Sequence, residues 1–393
     1  MILTAPELAG RGSGTPESDA VADTLASWMS ELGLEPAFDG SWFQAVPLSG
    51  QGWNGEDLAG KVGRNVAGVF RGQGALEGRY VVVGAHYDHL GRVEFQEGSP
   101  GPPDPGEYYP GANDNASGVS MVFELIRLAT QRTTETASLR SILFVNFAAE
   151  EVGLQGSGYM VSHLPVPLDR VDAMINIDTV GQLTDDRLHV SGVGTTEVFE
   201  RLVAEANAGD LDLSLARGGW SGSDHMAFNT HEVPVIFIFG GAYPQYNRPA
   251  DEWPTLDFPA LVKVTGYADR LLDLVRREPG AMPWVMVAEK NLRQDPDSQE
   301  QNRQTWLGTL PDFTEDVQGY KLAGVFDGSP ASRAGLQKGD VLLSLGGKTV
   351  EDLATFTTAL RSFGPGDLVE IALERDGRNL KFTVVLGDRA DRK

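Results

Sequence analysis

The sequence predicts an α/β protein with a largely parallel sheet covered by helices on both sides, followed by a small β-rich domain. Three observations predict it. Four short apolar runs, 79–88, 141–151, 173–181 and 233–241, are rich in β-branched and aromatic residues and read as strands buried on both faces. Helical patterns separate these runs, and alternation of the two gives a parallel sheet with a helical layer on each face. A polar, aperiodic stretch, 289–304, then precedes short strand patterns and tight glycine turns.

In chain order, Thr15-Pro16 opens the first helix with a capping hydroxyl and a proline at the first helical position. Val21, Leu25, Trp28, Met29 and Leu32 recur at helical spacing, and Gly33 stops it. The strand "RYVVVGAHYD" comes next, then a helix over 118–131 with Val119, Val122, Phe123, Ile126 and Leu128 on a broad stripe. "SILFVNFAAEE" and "AMINIDTVG" follow, with a short helix over 199–206 before "VPVIFIFGG". The last strong helix, 258–277, carries Leu261, Val264, Ala268, Leu271, Leu272 and Val275. The expected domains are therefore 1–285 and 305–390, joined by a linker over 286–304. A helix over 350–363 is expected within the second.

Composition narrows the chemistry. A net charge of −23 over 393 residues, without clustered Lys and Arg, argues against nucleic acid as a partner. With no cysteine, thiolate sites and disulfides are excluded, and a transition metal must use His, Asp, Glu or water. Six histidines are present, none beyond His231. No run approaches the ~18 apolar residues of a membrane span. The opening "MILTAPELAGRGSGTPESD" has neither the basic start nor the apolar run of a secretory leader, so none is expected here.

Polar residues gather where the strands end. "VVVGAHYD" ends with His86 and Asp88, "FVNFAAEE" with Glu150 and Glu151, and "MINID" with Asp178; "GANDNASG" places Asp114 just before a helix. Ligands of open α/β sheets sit at the carboxyl ends of the strands. Taken singly, His86 also suits a core histidine, Asp114 a helix cap, and Asp178 a strand-end turn. Together, carboxylates crowded at one apolar rim need protonation or a cation. One histidine with several carboxylates and no thiol suits one or two Zn²⁺ ions.

"GAHYDHLG", "GANDNASGV", "AAEEVGLQGS", "INIDTVG" and "SDHMAF", in this order, resemble the M28 zinc metallopeptidases, the two-zinc aminopeptidases. The opening "LAGRGSGTP" is similar to that family's lead-in, so the resemblance covers roughly 4–277. It implies the zinc-exopeptidase three-layer sandwich. Position by position, it makes His86, Asp114, Glu151 and Asp178 metal ligands, with Asp114 bridging. Asp88 becomes the acid that orients the His86 ring by accepting its second N–H. Glu150 becomes the general base, taking a proton from the attacking water and delivering it to the leaving amine. Asp224, His225, Tyr246 and Asp251 match substrate-side or supporting positions. His89 is read as a rim residue, and His163, His189 and His231 as structural or surface residues.

One position departs from the pattern. Where the resemblance calls for a histidine ligand, "QYNRPADEW" has Asn247, whose neutral amide oxygen is a poorer zinc donor than imidazole. Three readings stay open: one tight and one weak metal, a catalytically impaired relative kept for binding, or a different metal such as Mn²⁺, Co²⁺ or Ca²⁺. A glutaminyl cyclase or a carboxypeptidase on the same scaffold is a further alternative.

Residues ~305–388 resemble a PDZ domain, carried by "GSPASRAGLQKGDVLLSLGG" and "VEIALERDGRNLKFTVVL". The resemblance makes Gly319-Tyr320-Lys321-Leu322 the carboxylate-binding loop, with a peptide adding as a strand beside "LAGVF". The alternative is a domain that binds nothing. The expected partners are peptide substrates and a peptide C-terminus, and the family resemblance implies work outside the cytoplasm, periplasmic or secreted.

Overall fold

The computed structural model describes residues 2–52, 56–92, 108–132, 138–209, 211–219, 222–287, 305–312, 317–326, 328–351, 355–356, 359–360 and 362–388. They fall into two compact units, divided between Val287 and Thr305. The expected linker over 286–304 lies, from 288 on, outside the described residues.

The first unit opens with α1 (Pro16–Glu31), where the Thr15 side chain accepts from Ser18 N and Val21, Leu25 and Met29 are buried. β1 (Glu35–Pro36), β2 (Phe43–Pro47) and β3 (Val62–Phe70) form an antiparallel margin, with β3 paired to both others. β4 (Tyr80–His86), α2 (Gly118–Gln131), β5 (Ser141–Phe147), α3 (Gln155–Ser162) and β6 (Val171–Asp178) follow. Then come β7 (Arg187–Ser191), α4 (Phe199–Ala206), β8 (Asp212–Leu215), α5 (His225–Thr230), β9 (Val235–Phe239) and α6 (Phe258–Arg277). The sheet order is β1-β3-β5-β4-β6-β9-β7-β8, with β2 beside β3.

The four central strands β5, β4, β6 and β9 are mutually parallel, and every residue of β4, β5 and β6 is buried. That is why they read as continuous apolar runs rather than alternating ones. One face packs on α1, α2 and α6 through Val81, Val83, Phe144, Ile175 and Leu271. The other carries Val82, Val145, Phe147 and Met174 against Met160 and Phe228. Gly84 is required on that face: a Cβ there would lie 2.4 Å from the Phe147 ring. Parallel register aligns the strand ends, His86 opposite Phe147 and Asp178 opposite Phe239. The polar residues just past those ends therefore share one edge. β3 and β7 join antiparallel, the exceptions in an otherwise largely parallel centre, as helix–strand alternation predicts.

The second unit contains β10 (Thr305–Trp306), β11 (Thr309–Pro311), β12 (Tyr320–Val325), α7 (Pro330–Ala334), β13 (Val341–Leu345), β14 (Lys348–Thr349), β15 (Leu368–Arg375), β16 (Arg378–Val385) and β17 (Gly387–Asp388). Its main sheet runs β11-β12-β13-β15-β16 around a core that includes Leu322, Leu342, Ile371 and Leu373. The helix expected over 350–363 falls in large part outside the described residues.

At the opposite end of the first unit's sheet, Asp172 is 2% exposed and accepts from Arg140 Nε at 2.5 Å and Arg79 Nε at 3.1 Å. Arg140 also donates to the Val275, Glu278 and Gly280 carbonyls, which end α6. Asp172→Ala strands a buried guanidinium and is expected to lower stability by about 3–5 kcal/mol. Urea unfolding followed by circular dichroism measures that loss.

Candidate active site

At the shared edge, β4 delivers His86, the turn after β5 delivers Glu150 and Glu151, and β6 delivers Asp178. Asp114 comes from the turn before α2. His86 Nε2 stands 3.3 Å from Asp114 Oδ1 and 3.4 Å from Asp178 Oδ1. One ring nitrogen carries at most one proton and cannot satisfy two carboxylates with it. Two donors on one tetrahedral ion, each at about 2.1 Å, stand about 3.4 Å apart, so these spacings suit coordination. Among the described residues, two three-donor groups form, His86 with Glu150 and Asp178, and His86 with Asp114 and Glu151. The donor set, imidazole and carboxylate with no thiol, fits a divalent transition metal such as zinc.

The electrostatics fit as well. Burial, with Glu151, Asp224 and Asp178 facing it, holds the Glu150 carboxyl well above the usual carboxylate range. Burial and the nearby Asp114 do the same to Glu151. Burial alone would lower the His86 imidazole, but Asp178, Glu150 and Asp114 raise it well above its ordinary value. Burial lifts Asp224 to about 7. Tyr246 is raised first by burial and then by Asp114, Glu151, Glu150 and Asp178, which brings its hydroxyl into the same field.

Asp88 departs from the expected role. The second ring nitrogen of His86 meets the Asp88 main-chain carbonyl at 3.2 Å, while the carboxylate stands 3.8 Å away. The carboxylate instead accepts from Glu150 N at 3.1 Å, Glu151 N at 3.4 Å and Ser13 Oγ at 2.6 Å. It fixes the turn that carries the two glutamates, and the imidazole is oriented by backbone.

Asp251 grips the main chain that presents Asp114. Its Oδ1 accepts from Asn113 N at 2.9 Å and its Oδ2 from Asp114 N at 3.1 Å, with Tyr243 Oη donating to Oδ2 at 2.8 Å. Ser223 Oγ donates to Asp178 Oδ2 at 2.8 Å. His225 lies farther back, stacked on Phe237 and held by burial at a pKa of about 3. Asn247 has left-handed backbone, φ 54°, and its Oδ1 is buried with no hydrogen-bond donor.

Two residues carry more than their sequence context showed. Arg11 is wholly buried and donates to the carbonyls of Tyr87, Leu3, Pro110, Gly111 and Asp114, tying the opening segment to both ligand-bearing loops. The only signal was an arginine set between glycines in "AGRGSG". His89, expected at the rim, is 1% exposed, and its Nδ1 lies 2.6 Å from Glu151 Oε1. Burial lowers its pKa to about 4. His163 stacks on Tyr159 and His231 is exposed, away from the cluster.

In the second unit the expected carboxylate loop is corrected. Tyr320, Lys321 and Leu322 belong to β12, an interior strand paired with β13 at Tyr320 and Lys321 and with β11 at Leu322. Gly319 N already donates to Glu351 O at 2.9 Å and Leu322 N to Asp340 O at 2.8 Å. A strand cannot add where both sides are taken. The sheet margin on that side is β11, entered through Leu307 and Gly308.

Comparison with known proteins agrees with this architecture. Residues 65–270 match the model of peptidase family M28, and 303–386 match a PDZ domain. Aminopeptidase YwaD of Bacillus subtilis is 32% identical over 203 residues, 48% of this chain and 39% of that protein. A probable zinc metalloprotease of Leptosphaeria maculans is 36% identical over 123 residues, 31% of this chain and 26% of that one. The chain thus spans well under half the length of these two relatives. Among solved structures, the zinc aminopeptidase BSAP of Bacillus subtilis shares the fold at a TM-score of 0.52 and 18% identity, covering 71% of this chain and 95% of that one. A glutaminyl cyclase of Bacteroides thetaiotaomicron does so at 0.52 and 18%, covering 68% and 93%. The family match runs over more than half of the 393 residues and takes in His86, Asp114, Glu150, Glu151 and Asp178; the chain belongs to peptidase family M28 and carries a PDZ domain.

Proposed function

We propose that the chain is a metal-dependent aminopeptidase that removes N-terminal residues from peptides, working outside the cytoplasm. The observation that carries this reading is the convergence of Asp114 and Asp178 on one face of His86 Nε2 at coordination spacing. His86, Asp114, Glu151 and Asp178 would hold two zinc ions, the one on the Asn247 side more weakly. Zinc, once held, supplies a Lewis acid for the scissile carbonyl and lowers the pKa of a water to about 7.

The protein's own groups do the rest. Glu150, half-buried and raised in pKa, takes the proton of the attacking water at its carboxylate and passes it to the leaving amine. Asp88 holds the glutamate turn so that Glu150 and Glu151 point to different tasks. Asp251 keeps the Asp114 loop in place, and Tyr246 borders the reacting centre. Asp224 faces Glu150 and adds to the field that keeps it basic. The PDZ domain would take a peptide C-terminus along the margin strand β11.

A second reading rests on Asn247: a neutral donor in place of an imidazole favours a protein that has kept its cleft for binding alone. Purified protein supplied with Zn²⁺ or Co²⁺ is expected to release free amino acid from aminoacyl chromogenic substrates, and not from their N-acetylated forms. The absence of hydrolysis, with none gained by Asn247→His, would establish the binding-protein reading instead. Glu150→Gln is expected to cut the rate by about 10²–10⁴-fold while metal content, read by atomic emission, is unchanged. Chelation is expected to lower the melting temperature, and zinc at about 100 times its Kd to restore about 2.7 kcal/mol of stability.

A further inference from the structure

We propose that His89 is a positioning residue for Glu151: its Nδ1–H holds one carboxylate oxygen and turns the other toward the metal. The inference rests on the metal-dependent reading above. His89 Nδ1 lies 2.6 Å from Glu151 Oε1, a charge-assisted hydrogen-bond distance. It is shorter than the about 3.4 Å that separates two donors on one tetrahedral ion. Among the described residues, His89 also falls in neither three-donor group, both of which are built on His86. Its contact with Glu151 is therefore support, not shared coordination.

The ring is set to do this. Gly111 has φ +58°, and a Cβ there would lie 2.5 Å from the His89 ring, so the loop bearing Asp114 closes directly onto the imidazole. The Tyr109 ring meets it edge-on at 6.5 Å, and the His89 backbone bridges to Gly12 in the segment that Arg11 anchors. A glutamate pinned at one oxygen loses rotation about its last bond, so the other oxygen is presented in one direction. Hydrogen bonds to ligating carboxylates commonly hold a 10–100-fold share of metal affinity.

The test is a titration of metal-free protein with Co²⁺ read by visible absorption and with Zn²⁺ by calorimetry. Glu151→Gln identifies the binding step that depends on Glu151. His89→Leu, similar in size and lacking the donor, is expected to weaken that step by about 10–100-fold and to spare any other. His89→Asn, whose amide nitrogen sits near the Nδ1 position, is expected to recover it. An unchanged step in His89→Leu, or equal weakening of every step without recovery in His89→Asn, would overturn the proposal while leaving the metal-dependent reading intact. A wild-type chain that binds no ion would overturn both. Independently of variant folding, ¹⁵N spectra of the metal-loaded wild type are expected to show His89 protonated at Nδ1; a bare, coordinating Nδ1 there would also overturn it.

Discussion

The constraint on which the site depends is the crowding of buried carboxylates around a single imidazole nitrogen. Asp114, Glu150, Glu151 and Asp178 are brought to His86 by parallel strand ends and the turns beyond them, with Asp114 and Asp178 buried and the two glutamates half-buried, where water screens them poorly. Like charges at that density oppose folding unless something positive joins them. The nearest fixed cation, Arg11, gives its hydrogen bonds to main-chain carbonyls and none to these acids. Arg11 and the raised His86 imidazole oppose part of that charge from within the chain, and a divalent ion of the kind the family uses would oppose the rest.

Around this cluster lies a layer that holds each acid by a different partner. Asp178 leans on Ser223, Glu151 on His89, the glutamate turn on Asp88, and the Asp114 loop on Asp251. Two of these partners, Ser223 and Asp251, come from other segments, while Asp88 and His89 closely follow His86. The site is therefore rigid because the contacts are distributed over the first unit, from Ser13 to Asp251. Such support is what keeps ligating groups within the narrow geometry that coordination demands.

Much of this was legible from residue order. β4, β5, β6 and β9 are long apolar runs because both their faces are covered, and α1, α2, α4 and α6 begin and end where their stripes do. The imidazole and acids that meet at one edge stood out because most of them sit at the ends of those runs. The margin strands β1, β2, β7 and β8 were not picked out, being short and partly exposed, with weak periodicity. His89 was misplaced because its burial comes from Gly111 and Tyr109, which reach it only through the tertiary fold. Asp88 was given the wrong partner for a similar reason: two residues after His86, its carbonyl is nearer the ring than its own side chain. In the PDZ domain, a glycine before an apolar run suited a binding loop at 319, and only strand pairing shows that both sides of that run are taken.

The grip of Asp251 on two successive amides has one more consequence. The main chain that presents Asp114, the carboxylate expected to link the two ions, is held by the Asp251 side chain, with no call on the ions themselves. The loop that bears Asp114 thus keeps its pose when the cleft is emptied, and that part of the site need not be rebuilt on reloading.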